Sequence, residues 1–99
     1  MSIATAKPTF RTETITPERA LKYLDRNVDN RRLRESVVSR YAQDMAANNW
    51  ELTGDPIVFN TNGDLVQGQH RLYACVESEA SFTTLVMRNA PLSAYTVMD

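Results

Sequence analysis

The polar residues best placed to do chemistry form one short run, Gly68-Gln69-His70-Arg71. His70 is the only histidine of the chain. The apolar pair Leu65-Val66 precedes the run and a helical pattern follows it, so a strand is predicted to turn directly into a helix here. A helix start offers backbone N–H groups and the positive end of the helix dipole, and Arg71 adds a guanidinium. These features predict an anion site of the kind that holds a phosphate.

Each residue of the run has a distinct role in that prediction. Gly68 lets the backbone approach a ligand closely, and Gln69 can hydrogen-bond a ligand without carrying charge. His70 can donate to a phosphate or transfer a proton near neutral pH, and Arg71 can bind two phosphate oxygens at once. The residues alone leave a second interpretation open. It is a plain strand-to-helix turn in which Arg71 pairs with an acid such as Asp64 and His70 caps a neighbour.

If the site is catalytic, phosphoryl or nucleotidyl transfer is the reaction that these residue types favour. His70 and Arg71 would stabilise the charge on the transferred group, and a carboxylate such as Asp64 or Glu13 would be the general base or metal contact. The twelve acids, one histidine and one cysteine show no H-x-x-x-H, C-x-x-C or E-x-x-H spacing. No metal site made by protein ligands alone is therefore predicted, and any Mg²⁺ is expected to arrive on nucleotide phosphates.

A second group of polar residues is basic and lies between residues 26 and 40. Its arginines could contact phosphates or DNA, and they are Arg26, Arg31, Arg32, Arg34 and Arg40. The alternative is a solvated face that balances Asp25, Asp29 and Glu35. The net charge of −1 and pI of about 5.8 argue against nonspecific DNA binding, because such binders are normally basic.

Length and composition predict a single domain over residues 1–99, with residues 1–8 expected to be flexible. The 42% hydrophobic and 23% charged residues are ordinary for a globular protein. Cys75, the one cysteine, excludes an internal disulfide and is predicted to be buried. No apolar run approaches the ~18 residues that span a bilayer, and no signal-peptide core is visible, so a cytoplasmic protein without a membrane partner is expected.

The hydrophobic pattern predicts an α/β (α+β) domain with a small mixed sheet and two to four helices. Thr16-Pro17-Glu18 is typical of a helix start. Trp50 is expected to pack onto the core. The predicted elements are an edge strand Thr9–Ile15, a helix from Pro17 to about Arg26, a helix Arg32–Asn48, a hairpin of Ile57–Phe59 and Leu65–Val66, a helix Gln69–Ser78, a strand Thr83–Met87 and a short helix from Pro91.

The run and the order of elements resemble the ParB/sulfiredoxin-like superfamily, especially its phage and bacterial branch with a Gly-Gln-His-Arg signature. The resemblance rests on Asp64–Ala74, on a similarity of Asn27–Arg31 to the family's Asn/Arg box, and on the helix and strand that end at Trp50 and Phe59. It covers roughly residues 15–89. It implies a ParB-like fold, often called a ParB-like nuclease domain, and phage origin.

The resemblance also implies a ligand and its binding residues. Family members bind and hydrolyse CTP, use ATP or phosphorylate free serine, so a nucleoside triphosphate with Mg²⁺ is the implied cofactor. The implied activity is that of a nucleotide hydrolase, a phosphotransferase or a nuclease with a DNA-processing role. The residues implied to line the phosphates are Gly68, Gln69, His70 and Arg71, with Asn30 and Arg31 on the opposite wall.

Departures from the family pattern narrow these implications. Gln69 stands where sulfiredoxins have their reactive cysteine, so sulfiredoxin chemistry is not expected. Partition proteins have two arginines at the positions of Gln69-His70 and continue into a helix-turn-helix domain, so operator binding by that domain is not expected in a chain that stops at Asp99. Some phage relatives have an acid at the position of Gln67.

The alternative function is a catalytically silent interaction protein that inhibits or recruits a host protein.

Overall fold

A computed structural model describes residues 7–27, 33–52 and 54–92. Within these residues the elements are β1 (Thr9–Ile15), α1 (Pro17–Leu24), α2 (Glu35–Ala46), β2 (Ile57–Asn60), β3 (Leu65–Gln67), α3 (Gln69–Ser78) and β4 (Phe82–Ala90). The predicted fold class and order of elements are confirmed. Residues 1–6, the predicted helix start at Arg32 and residues 93–99 of the last predicted helix lie outside the described residues.

The four strands form one mixed sheet in the order β1-β4-β2-β3. β1 pairs antiparallel with β4, β4 pairs parallel with β2, and β2 pairs antiparallel with β3. Parallel strands need a crossover connection. The chain makes this connection from β2 to β4 through β3 and α3. The strand predicted at a sheet edge, Thr9–Ile15, is the edge strand β1.

Local signals explain where the elements begin and end. The Thr16 hydroxyl accepts a hydrogen bond from the N–H of Arg19 (3.2 Å), with Pro17 at the first helical position of α1. α1 ends at Leu24, two residues before the predicted end, because the chain turns through Asp25. β4 continues to Ala90, beyond the predicted Met87, because Arg88 pairs with Glu13 of β1 and Ala90 pairs in register with Asn60 of β2.

The helices cover one face of the sheet, and α3 lies between α1 and α2. The core beneath them includes Ile15, Ile57, Leu72, Cys75 and Val86, all fully buried. Trp50 packs edge-to-face against Tyr41 and Phe82, as the sequence predicted. β2 is buried on both faces, because Val58 packs with Val66 and Ala90 on the opposite side. In the described part of the chain, no helix has the length and apolar character needed to cross a bilayer.

A charged cluster ties the edge strand to the rest of the domain. The Glu13 carboxylate pairs with Arg88 of β4 and accepts a hydrogen bond from the Tyr23 hydroxyl (2.8 Å) of α1. Burial raises the pKa of Glu13, but its hydrogen bonds from Arg88 and Tyr23 and the positive charges of Arg88 and Arg19 outweigh burial and lower it below 4.5. The cluster therefore stabilises the fold when the carboxylate is ionised.

We expect Glu13→Gln to lower the free energy of unfolding at pH 7 by about 1–2 kcal/mol, because Arg88 loses its charge partner. Since the pKa of Glu13 is lower in the folded state, its contribution is present above pH 4.5 and is lost as the pH falls through the folded-state value. Urea unfolding at pH 7 and at pH 3 measures both effects. A variant that loses the same stability at both pH values would contradict this role for the ionised carboxylate.

Candidate functional site

The turn from β3 into α3 requires a glycine. Gly68 is the N-cap of α3 with φ 111° and ψ 9°, a left-handed backbone. A Cβ at this position would lie 2.4 Å from Cδ1 of Ile57. The N–H of Leu72 makes the first intrahelical hydrogen bond, to the carbonyl of Gly68 (3.1 Å), and no side chain caps the helix. The start of α3 therefore presents the positive end of the helix dipole.

This helix start opens into a cleft of about 1540 Å³. The cleft lies between the start and one face of α2, residues 49–51 with Asp55, and the β3–α3 turn. All four residues of the predicted run, Gly68 to Arg71, line it together with Gln67. Ligand clefts typically enclose ~300–1,000 Å³, so this one has room for a nucleotide and leaves space beyond it.

Arg71 is held by backbone carbonyls and not by a carboxylate. Its two terminal nitrogens donate to the carbonyls of Asp55 (2.6 Å) and Pro56 (2.9 Å), and no ion pair joins it to an acid of the described residues. Burial lowers the pKa of Arg71, while the charge of Asp55 partly restores it. A half-buried guanidinium with neutral partners is stabilised by an anion, and its remaining donors can supply that contact. The alternative pairing with Asp64 does not occur.

His70 and Gln69 fasten the start of α3 to the neighbouring chain. Nε2 of His70 accepts a hydrogen bond from the backbone N–H of Arg34 (3.0 Å), immediately before α2. Oε1 of Gln69 accepts one from the side-chain amide of Asn27 (2.8 Å). An Nε2 that accepts a hydrogen bond carries no proton, so the proton of a neutral imidazole lies on Nδ1 and Nε2 does not donate to a phosphate in this arrangement. The ring instead positions the wall of the cleft.

We expect His70→Ala to lower the free energy of unfolding by about 1 kcal/mol, since the N–H of Arg34 loses its acceptor. His70→Gln is the matched control, because a Gln side-chain oxygen can reach the same N–H. Urea unfolding of the two variants at pH 7.5 makes the comparison. Equal stability of the Ala and Gln variants would show that the hydrogen bond contributes nothing.

The cleft lining is mixed in charge and partly aromatic. Its arginines are Arg34, Arg40 and Arg71, and its carboxylates are Glu35, Asp44, Glu51 and Asp55. Tyr41 and Trp50 form an aromatic part of the wall, and the Arg40 guanidinium lies 5.6 Å from the Tyr41 ring centre. Among the described residues the acids of this lining outnumber its arginines. The lining they form therefore favours a phosphate ligand whose charge is partly neutralised, and it disfavours a bare polyanion.

The predicted catalytic carboxylates lie elsewhere. Asp64 pairs with Arg26 (3.0 Å) at the β2–β3 turn and does not line the cleft. Arg26 also donates to the carbonyls of Asn62 and Gly63, so this pair braces the hairpin. Glu13 belongs to the cluster with Arg88. The structure therefore brings together Gly68, Gln69, His70 and Arg71 but not Asp64 or Glu13. Among the described residues, no group of three His, Cys, Asp or Glu is placed to hold a metal ion.

The predicted basic segment does not form one patch in the part of the chain that the structure describes. Arg26 is engaged at the hairpin turn, whereas Arg34 and Arg40 line the cleft. Asn30, Arg31 and Arg32 lie outside the described residues. The three described arginines of this segment thus divide between two regions of the surface.

Sequence reasoning missed two parts of the site. Tyr41 is not among the predicted site residues, because its apolar spacing in the predicted helix Arg32–Asn48 is also typical of a core position. The carbonyls of Asp55 and Pro56 bind Arg71, and a backbone acceptor has no residue-type signature. The sequence Gly54-Asp55-Pro56, which is typical of a turn, was the available signal in this segment.

No family model, no curated protein and no solved structure matches the chain.

Proposed function

We propose that this domain binds a nucleotide, or another phosphate-bearing ligand, in the cleft at the start of α3. One observation carries the proposal. The half-buried Arg71 guanidinium, which has carbonyl partners and no carboxylate partner among the described residues, lines the same cleft as an uncapped helix start. Each is a known way of binding a phosphate, and here they converge on one opening.

The resemblance to the ParB/sulfiredoxin-like superfamily supports the same ligand. In that family the turn corresponding to Gly68–Arg71 holds nucleotide phosphates. The mixed charge of the cleft favours a nucleoside triphosphate that arrives with Mg²⁺, because the ion offsets phosphate charge near Glu35 and Asp44. Tyr41 and Trp50 offer an aromatic surface to the rest of the ligand.

A thermal-shift screen against nucleoside di- and triphosphates, with and without Mg²⁺, tests the proposal. A ligand that binds only the folded state at 100 times its Kd adds about 2.7 kcal/mol of stability, which raises Tm by roughly 10 °C in a domain of this size. We expect such a rise with at least one Mg²⁺–nucleoside triphosphate. No shift with any nucleotide at millimolar concentration would exclude this function.

The second candidate is a catalytically silent interaction protein. It is favoured by the position of Asp64, because the proposed general base is tied to Arg26 outside the cleft. An assay of nucleotide hydrolysis that measures the released phosphate distinguishes a silent interaction protein from an enzyme. Binding without turnover supports a ligand-controlled interaction domain, whereas turnover that is lost on mutation of a cleft carboxylate such as Asp44 supports an enzyme.

A further inference from the structure

The exposed edge of the sheet is a second region that the nucleotide proposal does not use. β1 is a seven-residue edge strand, and no hydrogen bond within the described residues joins the outer edge of residues 9–14 to another segment. Such an edge is a template for an added strand, with main-chain hydrogen bonds supplying affinity. Side chains on either side of the edge then decide which strand fits.

The two sides of β1 have different chemistry. On the side facing the helices, Arg11 and Glu13 pair in register with Val86 and Thr84. On the other side Phe10, which is 56% exposed, lies opposite Met87, and Thr12 lies opposite Leu85. An added strand alternates its side chains between these two sides.

The helix-facing side has an excess of positive charge. Arg19 lies 3.9 Å from the Glu13 carboxylate with its side chain 53% exposed, and Arg88 pairs with the same carboxylate. Arg11 is exposed two residues along β1 from Glu13. One carboxylate therefore neutralises only part of the charge of three arginines, and this side favours acidic side chains on an incoming strand.

We propose that the β1 edge binds an extended acidic–apolar segment of a partner protein by strand addition. Its acidic residues would lie beside Arg11 and Arg19, and its alternate apolar residues would cover Phe10. A second copy of this chain fits less well. Two-fold pairing of β1 strands would gather two sets of three arginines around only two glutamates.

Fluorescence anisotropy with a labelled octapeptide that alternates Glu with Val and Thr tests this proposal. We expect saturable binding that weakens at least tenfold in Arg11→Glu and stays within threefold in Arg11→Lys, the charge-preserving control. The matched peptide with Lys in place of Glu should not bind. A backbone N-methylated form of the acidic peptide should lose at least tenfold, because it lacks the strand hydrogen bonds.

Several results would overturn the proposal. They are no saturable binding at 1 mM peptide, equal binding of the Lys peptide, or full binding of the N-methylated peptide. Concentration-dependent dimerisation in sedimentation that Phe10→Lys abolishes, without peptide binding, would assign the edge to copies of this chain. Circular dichroism of each Arg11 variant checks the fold, which the exposed position should preserve.

Discussion

Gly68→Ala is expected to lower the free energy of unfolding by about 3 kcal/mol. A left-handed backbone costs a residue with a Cβ ~1–2 kcal/mol, and fitting that Cβ against Ile57 adds an overpacking cost of ~1–3 kcal/mol. Such a loss is a large part of the 5–15 kcal/mol that typically stabilises a domain. Urea unfolding followed by circular dichroism measures it.

Gly54→Ala is the matched control for this prediction. Apart from its neighbours in the chain, no atom of the described residues lies within 4 Å of a Cβ built at Gly54, so the change is expected to stay within about 0.5 kcal/mol of the parent. If Gly68→Ala were as stable as Gly54→Ala, the turn would tolerate a side chain. The close approach of β2 to the start of α3, on which the site depends, would then be wrong.

Arg71→Gln is expected to weaken nucleotide binding at least tenfold while the domain stays folded. A charged hydrogen bond to phosphate contributes about 1.5–3 kcal/mol, which corresponds to a tenfold to hundredfold change in Kd. The Gln side chain can keep one contact to the carbonyls of Asp55 and Pro56, so only a modest loss of stability should follow. Calorimetric titration gives Kd, and urea unfolding gives stability.

Arg26→Gln is the appropriate control for Arg71→Gln. Arg26 also donates to two backbone carbonyls, but it does so at the β2–β3 turn outside the cleft. We expect it to reduce stability without changing nucleotide affinity. Equal losses of affinity in the two variants would show that the effect of Arg71 is transmitted through stability and not through contact with the ligand.

Much of the fold was predictable from local patterns. The predicted strand Thr9–Ile15, the Thr16-Pro17 helix start and the predicted hairpin of Ile57–Phe59 and Leu65–Val66 match β1, α1, β2 and β3 of the structure. Each of these signals depends on residues close together in sequence. The exact end of β4 was missed because Arg88 is polar, and its place in a strand depends on a partner, Glu13, far away in the chain.

The composition of the cleft was only partly predictable, for the same reason. The run Gly68–Arg71 was identified because its residue types are distinctive and adjacent. The partner of Arg71 was not, since backbone carbonyls are present at every residue and only the tertiary fold selects those of Asp55 and Pro56. Asp64 was a reasonable catalytic candidate by proximity in sequence, but the hairpin turns its carboxylate toward Arg26.

The backbone amides at the start of α3 test the central claim most directly. In a ¹⁵N NMR titration with a Mg²⁺–nucleoside triphosphate, the amide signals of Gln69, His70 and Arg71 should shift saturably, and these shifts should be the largest in the spectrum. Signals that remain unmoved at 10 mM nucleotide, or largest shifts confined to β1 and the β2–β3 turn, would contradict a phosphate site in this cleft.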